Sequence, residues 1–433
     1  MSPGVIGVIG IGALFVLLFS GIPVGFLLAI LGFIGFSYLA SFGAGGNLIA
    51  KDFFSNFSSY SLTVIPMFIF MGQLAFYSGT SQRLYDFAYK MVGQLRGGLA
   101  MATAVACAGF AAICGSTNAT AATMGTAALP EMKRHHYDPK LATGSVAAGG
   151  SLGILIPPSV IFIVYGVMTQ ESIGKLFVSG ILPGILLTVL FIVTIYILCR
   201  LDHRLGPAGP VVSLKEKLAS LSELSETIIL FALVMGGLFT GFFTPTEAGA
   251  VGAGGALIVA LLRRQLTWDG FKASVLDTTR ISCMVMIIVT GAAVFGHFLA
   301  VTRIPFNLAM WVGGLPLSPT AIIALIILIY ILGGCFIDSL ALILLTVPIF
   351  FPVITTLGLD PVWFGVIIVL VTQIGVVSPP LGTNVYIIKG VAGDVPLGTI
   401  FRGVFPFLVA MIVCTAIIVV FPQVALFLPS LMK

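Results

Sequence analysis

Long apolar runs, separated by short polar stretches, follow one another along almost the whole chain. A helix needs about 20 apolar residues to cross the hydrocarbon core of a bilayer. Ten runs approach or exceed that length and are predicted as crossings, near residues 4–20, 23–41, 63–79, 141–168, 176–199, 227–243, 246–262, 281–300, 363–388 and 398–421. The pattern predicts an all-α membrane protein that crosses the bilayer many times.

Two further apolar regions, residues 98–131 and 318–353, are too long for one crossing. Polar or glycine-containing patches interrupt them, CGSTNAT at 114–120 and GGCFIDS at 333–339. Non-helical backbone is tolerated at membrane depth only where it is buried in protein or lines a cavity. We therefore predict two re-entrant helical hairpins, each entering and leaving on one side, with the polar patch at its tip.

The composition and the loop charges agree with this arrangement. The chain has 433 residues, of which 59% are hydrophobic and 8% are charged, with a mean hydropathy of +1.17. A soluble domain needs more charge to cover its surface, so most of this chain should face lipid, and the net charge of +5 reflects topology and not nucleic-acid binding.

The basic residues give the orientation. With ten crossings, two hairpins and an outside N-terminus, sixteen of the twenty Lys and Arg residues fall on one side, which is then cytoplasmic. The other four are Lys51, Lys175, Arg303 and Lys433. A full crossing in place of either hairpin would move every later loop to the opposite side and remove this asymmetry.

Landmarks recur along the chain at an offset of 222 residues. The matched pairs are Pro23 with Pro245, Ser116 with Asp338, Asp138-Pro139 with Asp360-Pro361, and Pro157-Pro158 with Pro379-Pro380. Loop charges place the two copies in opposite orientations. The sequence thus predicts two inverted repeats, residues 1–200 and 227–433, joined by a cytoplasmic linker at 201–226 that includes a short surface helix. Inverted repeats with broken helices are the architecture of secondary transporters.

Each diproline lies within a predicted crossing, 141–168 in one half and 363–388 in the other. Proline lacks an N–H and obstructs the carbonyl one turn back, so two in a row unwind a helix. Freed carbonyls in hydrocarbon cost several kcal/mol each unless they are satisfied, and a dehydrated cation can satisfy several at once. We therefore predict that both helices break at the diproline and that each break helps to bind an alkali ion.

Small and oxygen-bearing residues surround both breaks and both tips. They are Gly149, Gly150, Ser151, Gly153, Ser159, Ser116, Thr117, Asn118 and Thr120 in one half, and Thr372, Gly375, Ser378, Gly382, Thr383, Asn384, Asp338 and Ser339 in the other. Half-helices that begin at the breaks carry partial positive charge at their N-termini, which suits an anionic substrate between the two ion sites.

Asp338 is the one carboxylate that the sequence places deep in an apolar region, and an intramembrane acid is a functional candidate. It could bind an ion, carry a proton or cap the second helix of its hairpin. His297, alone in a predicted crossing, is expected to pack or to make a local hydrogen bond.

The strings GSTNATAATMGTAALPEM, YDPKLATGSVAAGGSLGILIPPSVIFIVYG, GGCFIDSLALILLTVPIFFPV and VVSPPLGTNVY resemble the large membrane subunit of TRAP (tripartite ATP-independent periplasmic) transporters. The resemblance covers nearly the whole chain. It implies a sodium-driven importer of organic acids in the inner membrane, with an elevator mechanism. It also implies two partners, a periplasmic substrate-binding protein and a small four-helix membrane subunit. Amphipathic residues 82–96 and 303–313 match the family's arm helices.

The resemblance also assigns site residues. It implies one sodium site at Ser116, Asn118, Gly153 and Pro157, and a second at Asp338, Gly375, Ser378 and Thr383. Asn118, Ser159, Asp338 and Asn384 are predicted to contact the substrate, a small carboxylate such as a C4-dicarboxylate or sialic acid. No other cofactor or metal is expected.

Three other functions are to be compared with the sequence. An intramembrane enzyme would need paired acids or a metal-binding motif, and a channel would need a continuous polar pore, neither of which the sequence contains. A standalone ion-coupled carrier of dicarboxylates or another anion, working without a binding protein, is the nearest alternative.

Overall fold

The structure, a computed structural model, describes residues 2–209 and 212–432, which form α-helices joined by short loops. Met1 and Lys433, at the ends of the predicted repeats, and Pro210 and Val211, within the predicted linker, lie outside the described residues.

The first half contains ten α-helices. They are α1 (Pro3–Leu17), α2 (Val24–Leu39), α3 (Phe42–Phe57), α4 (Val64–Tyr77), α5 (Thr80–Val92), α6 (Gly98–Cys114), α7 (Thr117–Arg134), α8 (Pro139–Ser151), α9 (Val160–Thr169) and α10 (Ile173–Leu201). Short 3₁₀ turns occupy Leu18–Ser20, Tyr60–Thr63 and Leu152–Ile154.

The second half repeats this order. Its helices are α11 (Leu214–Phe239), α12 (Pro245–Leu262), α13 (Trp268–Thr302), α14 (Ile304–Gly313), α15 (Pro319–Gly334), α16 (Ser339–Thr356), α17 (Pro361–Val377), α18 (Thr383–Ala392), α19 (Leu397–Val420) and α20 (Gln423–Ser430). Adding 222 to the bounds of α7, 117 and 134, gives those of α16, 339 and 356. The predicted repeat therefore reappears in the helix boundaries.

The halves differ at two places. The second half ends in α20, which has no counterpart in the first half. In the first half a 3₁₀ turn at Tyr60–Thr63 separates α3 from α4, whereas the corresponding part of the second half is the single 35-residue helix α13. Neither α3 nor the terminal helix α20 was predicted from the sequence. The predicted linker does contain helix: residues 214–226 form the first part of α11, and its Lys215–Leu221 segment is set off by a 42° bend from the Leu224–Phe239 part.

Seven helical segments among the described residues are long and apolar enough to cross a membrane, and α11 makes eight if its two parts, which meet at a 42° bend, are one span. Ten crossings are predicted from the sequence. Six of the ten are among the seven segments, and α11 is a further one. The other three are α2, which has 16 residues, and the two broken helices, each divided into shorter pieces. One of the seven, α16, is the second leg of a hairpin.

Both hairpins are present. Residues 115–119, between α6 and α7, and 338–340, at the start of α16, line the same internal cavity. The cavity also touches Ile69 in α4 and Val285 in α13, well inside those helices. Because both tips end in the protein interior, α6–α7 and α15–α16 turn back within the membrane.

Both predicted breaks are also present. In the first half α8 ends at Ser151 and α9 begins at Val160, and in the second half α17 ends at Val377 and α18 begins at Thr383. The peptide bond within each proline pair is cis. The fold prediction of an all-α membrane protein with two inverted repeats, two hairpins and two broken helices is confirmed.

Helices α2, α4, α12 and α13 form one packed group, called here the wall. A methyl group on Gly25 of α2 would lie 2.8 Å from the backbone nitrogen of Ile288 in α13, and one on Gly249 of α12 would lie 3.0 Å from Cβ of Met67 in α4. Small residues let membrane helices approach at backbone distance. The two equivalent helix pairs therefore pack in the same way.

Helices α6–α10 and α15–α20 form a second group, called here the module. Its halves interlock: Gly144 of α8 lies directly against the backbone of Gly403 in α19, and the Tyr165 hydroxyl of α9 donates a 2.6 Å hydrogen bond to the Pro361 carbonyl. Both hairpins and both broken helices belong to this group, which therefore contains nearly all the predicted site residues.

Residues 205–209 of the linker, called here the strap, cross the base of the first hairpin. Three backbone hydrogen bonds hold them, from Gly97 N–H to the Gly206 carbonyl (2.9 Å), from Gly209 N–H to the Gly93 carbonyl (3.0 Å) and from Asp138 N–H to the Leu205 carbonyl (3.0 Å). The strap thus joins the entry of α6 to the exit of α7.

Tyr137 reinforces the strap. Its hydroxyl accepts a hydrogen bond from Leu99 N–H at the start of α6 (3.1 Å) and donates one to the Pro207 carbonyl of the strap (2.9 Å). Burial raises the pKa of Tyr137 to about 12, so the hydroxyl keeps the proton it donates at neutral pH.

Tyr137→Phe should lower the stability of the folded protein by about 1–3 kcal/mol, because it leaves the buried Leu99 N–H without its partner. The measurement is thermal unfolding of the purified protein in detergent. Tyr38→Phe is the matched control, since Tyr38 is 69% exposed on α2. Equal midpoints for the two variants would show that the Tyr137 hydroxyl does not stabilise the hairpin base.

Candidate substrate and cation site

The two hairpin tips meet at a cavity of about 110 Å³ between the module and the wall. Residues 115–119 line it from the first tip, and 338–340 from the second. The remaining lining residues are Ile69, Gln73, Cys114, Ile154, Val160, Ile161, Ile281, Met284 and Val285. This central cavity brings together groups from both repeats.

Three helices begin at or beside the central cavity. Helix α7 starts after its N-cap Ser116, α9 after Ser159 and α16 after Asp338. The N-terminus of a helix carries about half a positive charge and presents unpaired N–H groups. Their convergence on one space favours an anionic ligand.

The side chains add the opposite charge. Among the residues lining the cavity, Asp338 is the only Asp or Glu, and no Lys, Arg or His is present. An anionic ligand beside an ionised carboxylate requires compensation beyond the helix termini, which a bound cation supplies. The cavity thus has the charges expected for an anion and a cation held together.

Asp338 is exposed and lines the central cavity. Its Oδ1 accepts a 3.0 Å hydrogen bond from Leu340 N–H, so it caps α16. Capping occupies one side of the carboxylate and leaves the other oxygen available. The capping role considered for Asp338 is therefore observed, and it does not prevent ion binding.

The first tip packs directly on the first break. A methyl group on Gly153 would overlap the carbonyl oxygen of Ser116, and one on Gly115 would lie 2.6 Å from the carbonyl oxygen of Pro158. Asn118 is exposed at the cavity. Of the residues predicted for the first sodium site, Ser116 and Gly153 are thus in contact, Pro157 adjoins Pro158, and Asn118 lies at the tip.

The second tip packs on the second break in a similar way. A methyl group on Gly375 would lie 2.6 Å from the carbonyl oxygen of Gly334, four residues before Asp338. The Ser378 hydroxyl donates a 2.6 Å hydrogen bond to the Ile374 carbonyl, which leaves its lone pairs free to accept or to bind an ion.

Several polar atoms at the second break have no hydrogen-bond partner among the described residues. They are the hydroxyl oxygen of Thr383, the amide oxygen of Asn384 and both amide atoms of Gln373. Asn384 and Gln373 are 0% exposed, and the Asn384 amide nitrogen donates a 3.1 Å hydrogen bond to the Ala147 carbonyl of α8. Unsatisfied buried oxygens are costly, so this group fits an occupant such as a cation or a water molecule.

Not all the predicted substrate residues face the cavity. Ser159 is 0% exposed, and its hydroxyl accepts from Phe162 N–H (3.5 Å) as the cap of α9. Asn384 is buried at the second break and does not line the cavity. Asn118 and Asp338 do line it. Contact between substrate and any of these four residues stays a prediction.

The residues by which the wall lines the cavity were not predicted from the sequence. They are Ile69, Gln73, Ile281, Met284 and Val285. Apolar residues within a crossing give no sign that they face a site. Gln73, a polar residue within the apolar run VIPMFIFMGQLAFY, was the one available signal.

The structure also buries one carboxylate that the sequence did not mark. Asp52 on α3 is 8% exposed, and its carboxylate lies 3.5 Å from the His297 imidazole of α13. Helix α3 was not predicted, so the burial of Asp52 was not either. His297 makes a polar contact, as expected, but across two helices.

The chain matches, over residues 11–424, the family described as "Tripartite ATP-independent periplasmic transporter, DctM component". The C4-dicarboxylate TRAP transporter large permease protein DctM of Pseudomonas aeruginosa is 39% identical over 88% of this chain and 89% of its own length. The sialic acid TRAP transporter large permease protein SiaM of Vibrio cholerae is 36% identical over 96% of both chains.

One relative is longer. The isethionate TRAP transporter permease protein DctMQ of Oleidesulfovibrio alaskensis is 34% identical over 91% of this chain, which covers 62% of that protein. Among solved structures, the YdaH transporter of Alcanivorax borkumensis gives a TM-score of 0.66 at 14% identity, covering 90% of each chain. At this identity the likeness concerns the fold alone.

These relatives are named as transporter permeases, so the chain is a transporter component and not an enzyme. Together with its apolar helices, this makes it a multi-pass protein of the inner membrane. The extent of the family match and the identity to the P. aeruginosa and V. cholerae proteins show that the chain belongs to the DctM family of large membrane components of TRAP transporters.

Proposed function

We propose that this chain is the large membrane subunit of a sodium-coupled importer of a small organic carboxylate. A periplasmic substrate-binding protein delivers the substrate, and a small four-helix membrane subunit completes the complex. Membership of a tripartite family supports both partners, and the name of the longer relative, DctMQ, is consistent with a second membrane component.

The charge of the central cavity is the observation that carries this proposal. Three helix N-termini approach a space in which Asp338 is the only lining residue among Asp, Glu, Lys, Arg and His. An anion is favoured by the helix termini and opposed by the carboxylate, so its binding strengthens when cations bind beside it. Oxygens for such ions come from Ser116 and Gly153 in the first half, and from Ser378 and Thr383 at the second break.

Most of the named relatives favour a carboxylate, whereas DctMQ is named for isethionate, a sulfonate. The P. aeruginosa and V. cholerae proteins are named for C4-dicarboxylates and sialic acid, and one relative from Ruegeria pomeroyi is named for ectoine and 5-hydroxyectoine. The compounds in those three names all carry at least one carboxylate group. The substrate of this chain is therefore a C4-dicarboxylate, sialic acid or a related carboxylate.

The module moves past the wall as an elevator. Residues Ile69 and Gln73 of α4 line the cavity, and their equivalents at the 222-residue offset are Gly291 and Phe295 in α13. Helix α13 instead contributes 281–285, ten residues earlier. At about 1.5 Å per residue this is about 15 Å, so the cavity lies about 7 Å from the level of the pseudo-two-fold axis that relates the halves.

The direction of this displacement follows from the orientation. In the orientation given by the basic residues, α13 runs from the cytoplasmic to the periplasmic side, so the module is shifted toward the cytoplasm. A second contact supports the shift. Phe336, at the tip of the hairpin that enters from outside, packs edge-to-face on Phe19, with ring centroids 6.5 Å apart, and Phe19 lies in the 3₁₀ turn that follows α1 on the cytoplasmic side.

Reconstitution tests the proposal. Proteoliposomes containing this chain, its small membrane partner and the purified receptor should accumulate radiolabelled succinate or N-acetylneuraminate only with an inward sodium gradient. Omitting the receptor, the partner or sodium should each abolish accumulation. Accumulation by this chain alone would instead favour the standalone carrier, and equal accumulation without sodium would refute the coupling.

A further inference from the structure

We propose that Gln73 is a specificity-determining residue that the wall contributes to the substrate site. Its side-chain amide hydrogen-bonds the end of the substrate that points away from the hairpin tips. This inference rests on the proposed function and narrows its substrate class to acids with a second polar group.

Gln73 is isolated among apolar side chains. The wall lines the central cavity with Ile69, Ile281, Met284 and Val285 besides Gln73. The Gln73 amide is half-buried and makes no hydrogen bond to another described residue. A polar group in an apolar wall loses free energy unless it finds a partner, and the cavity it faces is the place where a ligand can supply one.

The backbone around Gln73 holds it against the first hairpin tip. A methyl group on the neighbouring Gly72 would lie 2.9 Å from Cα of Cys114 and 3.0 Å from its carbonyl oxygen, so α4 and the end of α6 touch through their main chains. One turn along α4, the Tyr77 hydroxyl donates a 2.6 Å hydrogen bond to Asp277 of α13. These contacts set the position of α4 beside the tip.

The equivalent residue in the other half does not have this role. At the 222-residue offset, Gln73 corresponds to Phe295, which is 2% exposed. Phe295 packs on α2, where a methyl group on Gly32 would lie 2.6 Å from its backbone nitrogen. With the module in this position, the cavity therefore faces the part of the wall that carries the Gln73 amide. When the module moves, the contact between Gln73 and the substrate is lost.

The chemistry of the amide defines the ligand. The side chain of Gln73 offers two N–H donors and one carbonyl acceptor, and no basic side chain lines the cavity. The tips bind one carboxylate beside the cations, and Gln73 then binds a carboxylate or hydroxyl at the far end. A monocarboxylate with an apolar far end leaves the amide unpaired, and a site that hydrogen-bonds one group discriminates strongly against analogues lacking it.

The experiment compares internal substrate affinity in the reconstituted complex. Sodium-dependent efflux of radiolabelled succinate or N-acetylneuraminate, whichever the wild type carries, is measured for Gln73→Leu and Gln73→Asn. Butyrate serves as the competitor that has no polar far end. Gln423→Leu is the matched control, because Gln423 is exposed at the start of α20.

Gln73→Leu is expected to raise the KM for internal substrate about ten-fold, the equivalent of about 1.4 kcal/mol, with the sodium dependence unchanged. It should also reduce the preference for succinate over butyrate, and Gln73→Asn should retain part of that preference. A KM and a preference equal to wild type in both variants would overturn the inference. If the wild type showed no sodium-dependent transport, the proposed function would be overturned as well. The behaviour of the wild type therefore distinguishes failure of this inference from failure of the proposed function.

Discussion

Asp338→Asn is expected to abolish sodium-coupled uptake while leaving the protein folded. Asparagine caps a helix about as well as aspartate does, so the hydrogen bond to Leu340 N–H and the start of α16 should both survive. The substitution removes the only carboxylate that lines the central cavity. Loss of a contact with a charged group costs about 1.5–3 kcal/mol, which corresponds to about ten-fold to a hundred-fold weaker sodium binding.

The comparison with Asp338→Ala separates the possible roles of this residue. Alanine loses both the charge and the cap, and loss of a cap typically costs about 1 kcal/mol of stability. Sodium-dependent uptake and thermal unfolding are measured for both variants. Near-normal uptake by Asp338→Asn would mean that Asp338 only caps α16. Wild-type uptake driven by a pH gradient instead of sodium, and lost in both variants, would identify Asp338 as a proton carrier.

Gly153→Ala and Gly375→Ala should each destabilise the protein and abolish transport. These residues occupy equivalent positions at the two breaks, and each lies against the backbone of a hairpin, at Ser116 and Gly334 respectively. An added methyl group forces main-chain atoms apart, and overpacking of this kind costs about 1–3 kcal/mol or more. Displacing a tip from its break would also separate the oxygens proposed to bind sodium.

Gly390→Ala provides the matched control. Gly390 lies in α18 of the same module, and a methyl group there would meet nothing within 4 Å. Because alanine favours helix more than glycine does, this variant should be as stable as wild type or slightly more so. Thermal unfolding and uptake are measured on all three variants. Wild-type behaviour of the two break variants would show that the tips do not need direct backbone contact.

The fold was largely predictable because its main features depend on local chemistry. Hydrophobic length gives the crossings, basic residues give their orientation, and a proline pair breaks a helix wherever it occurs. The repeat was visible because landmark residues such as Pro139 and Pro361 recur at one offset and begin equivalent helices.

The elements that were missed depend on packing. Helix α3 contains many small and polar residues, and it is stabilised where Gly45 meets Ser37 of α2 and where Asp52 meets His297. Its sequence alone has neither the length nor the hydrophobicity of a crossing. Likewise, the continuity of α11 into the predicted linker reflects a good N-terminal cap at Ser213 and Glu216, whose reciprocal hydrogen bonds form a capping box.

The candidate site was predictable on one side. Ser116, Asn118 and Asp338 are polar residues in apolar surroundings, so the sequence marks them directly. The wall residues Ile281 and Met284 resemble every other apolar residue in a crossing. Their place at the cavity depends on where the module packs along α13, and that is a property of tertiary structure and not of the local sequence.

The strap also bears on how the protein is made. The base of the first hairpin takes three backbone partners from residues 205–209, which leave the ribosome about seventy residues after the hairpin itself. Until then the amides of Gly97 and Asp138 lack these partners. The nascent chain can therefore complete the base of this hairpin only after residue 209 has been synthesised. Assembly of the first half thus depends on the segment that leads into the second half.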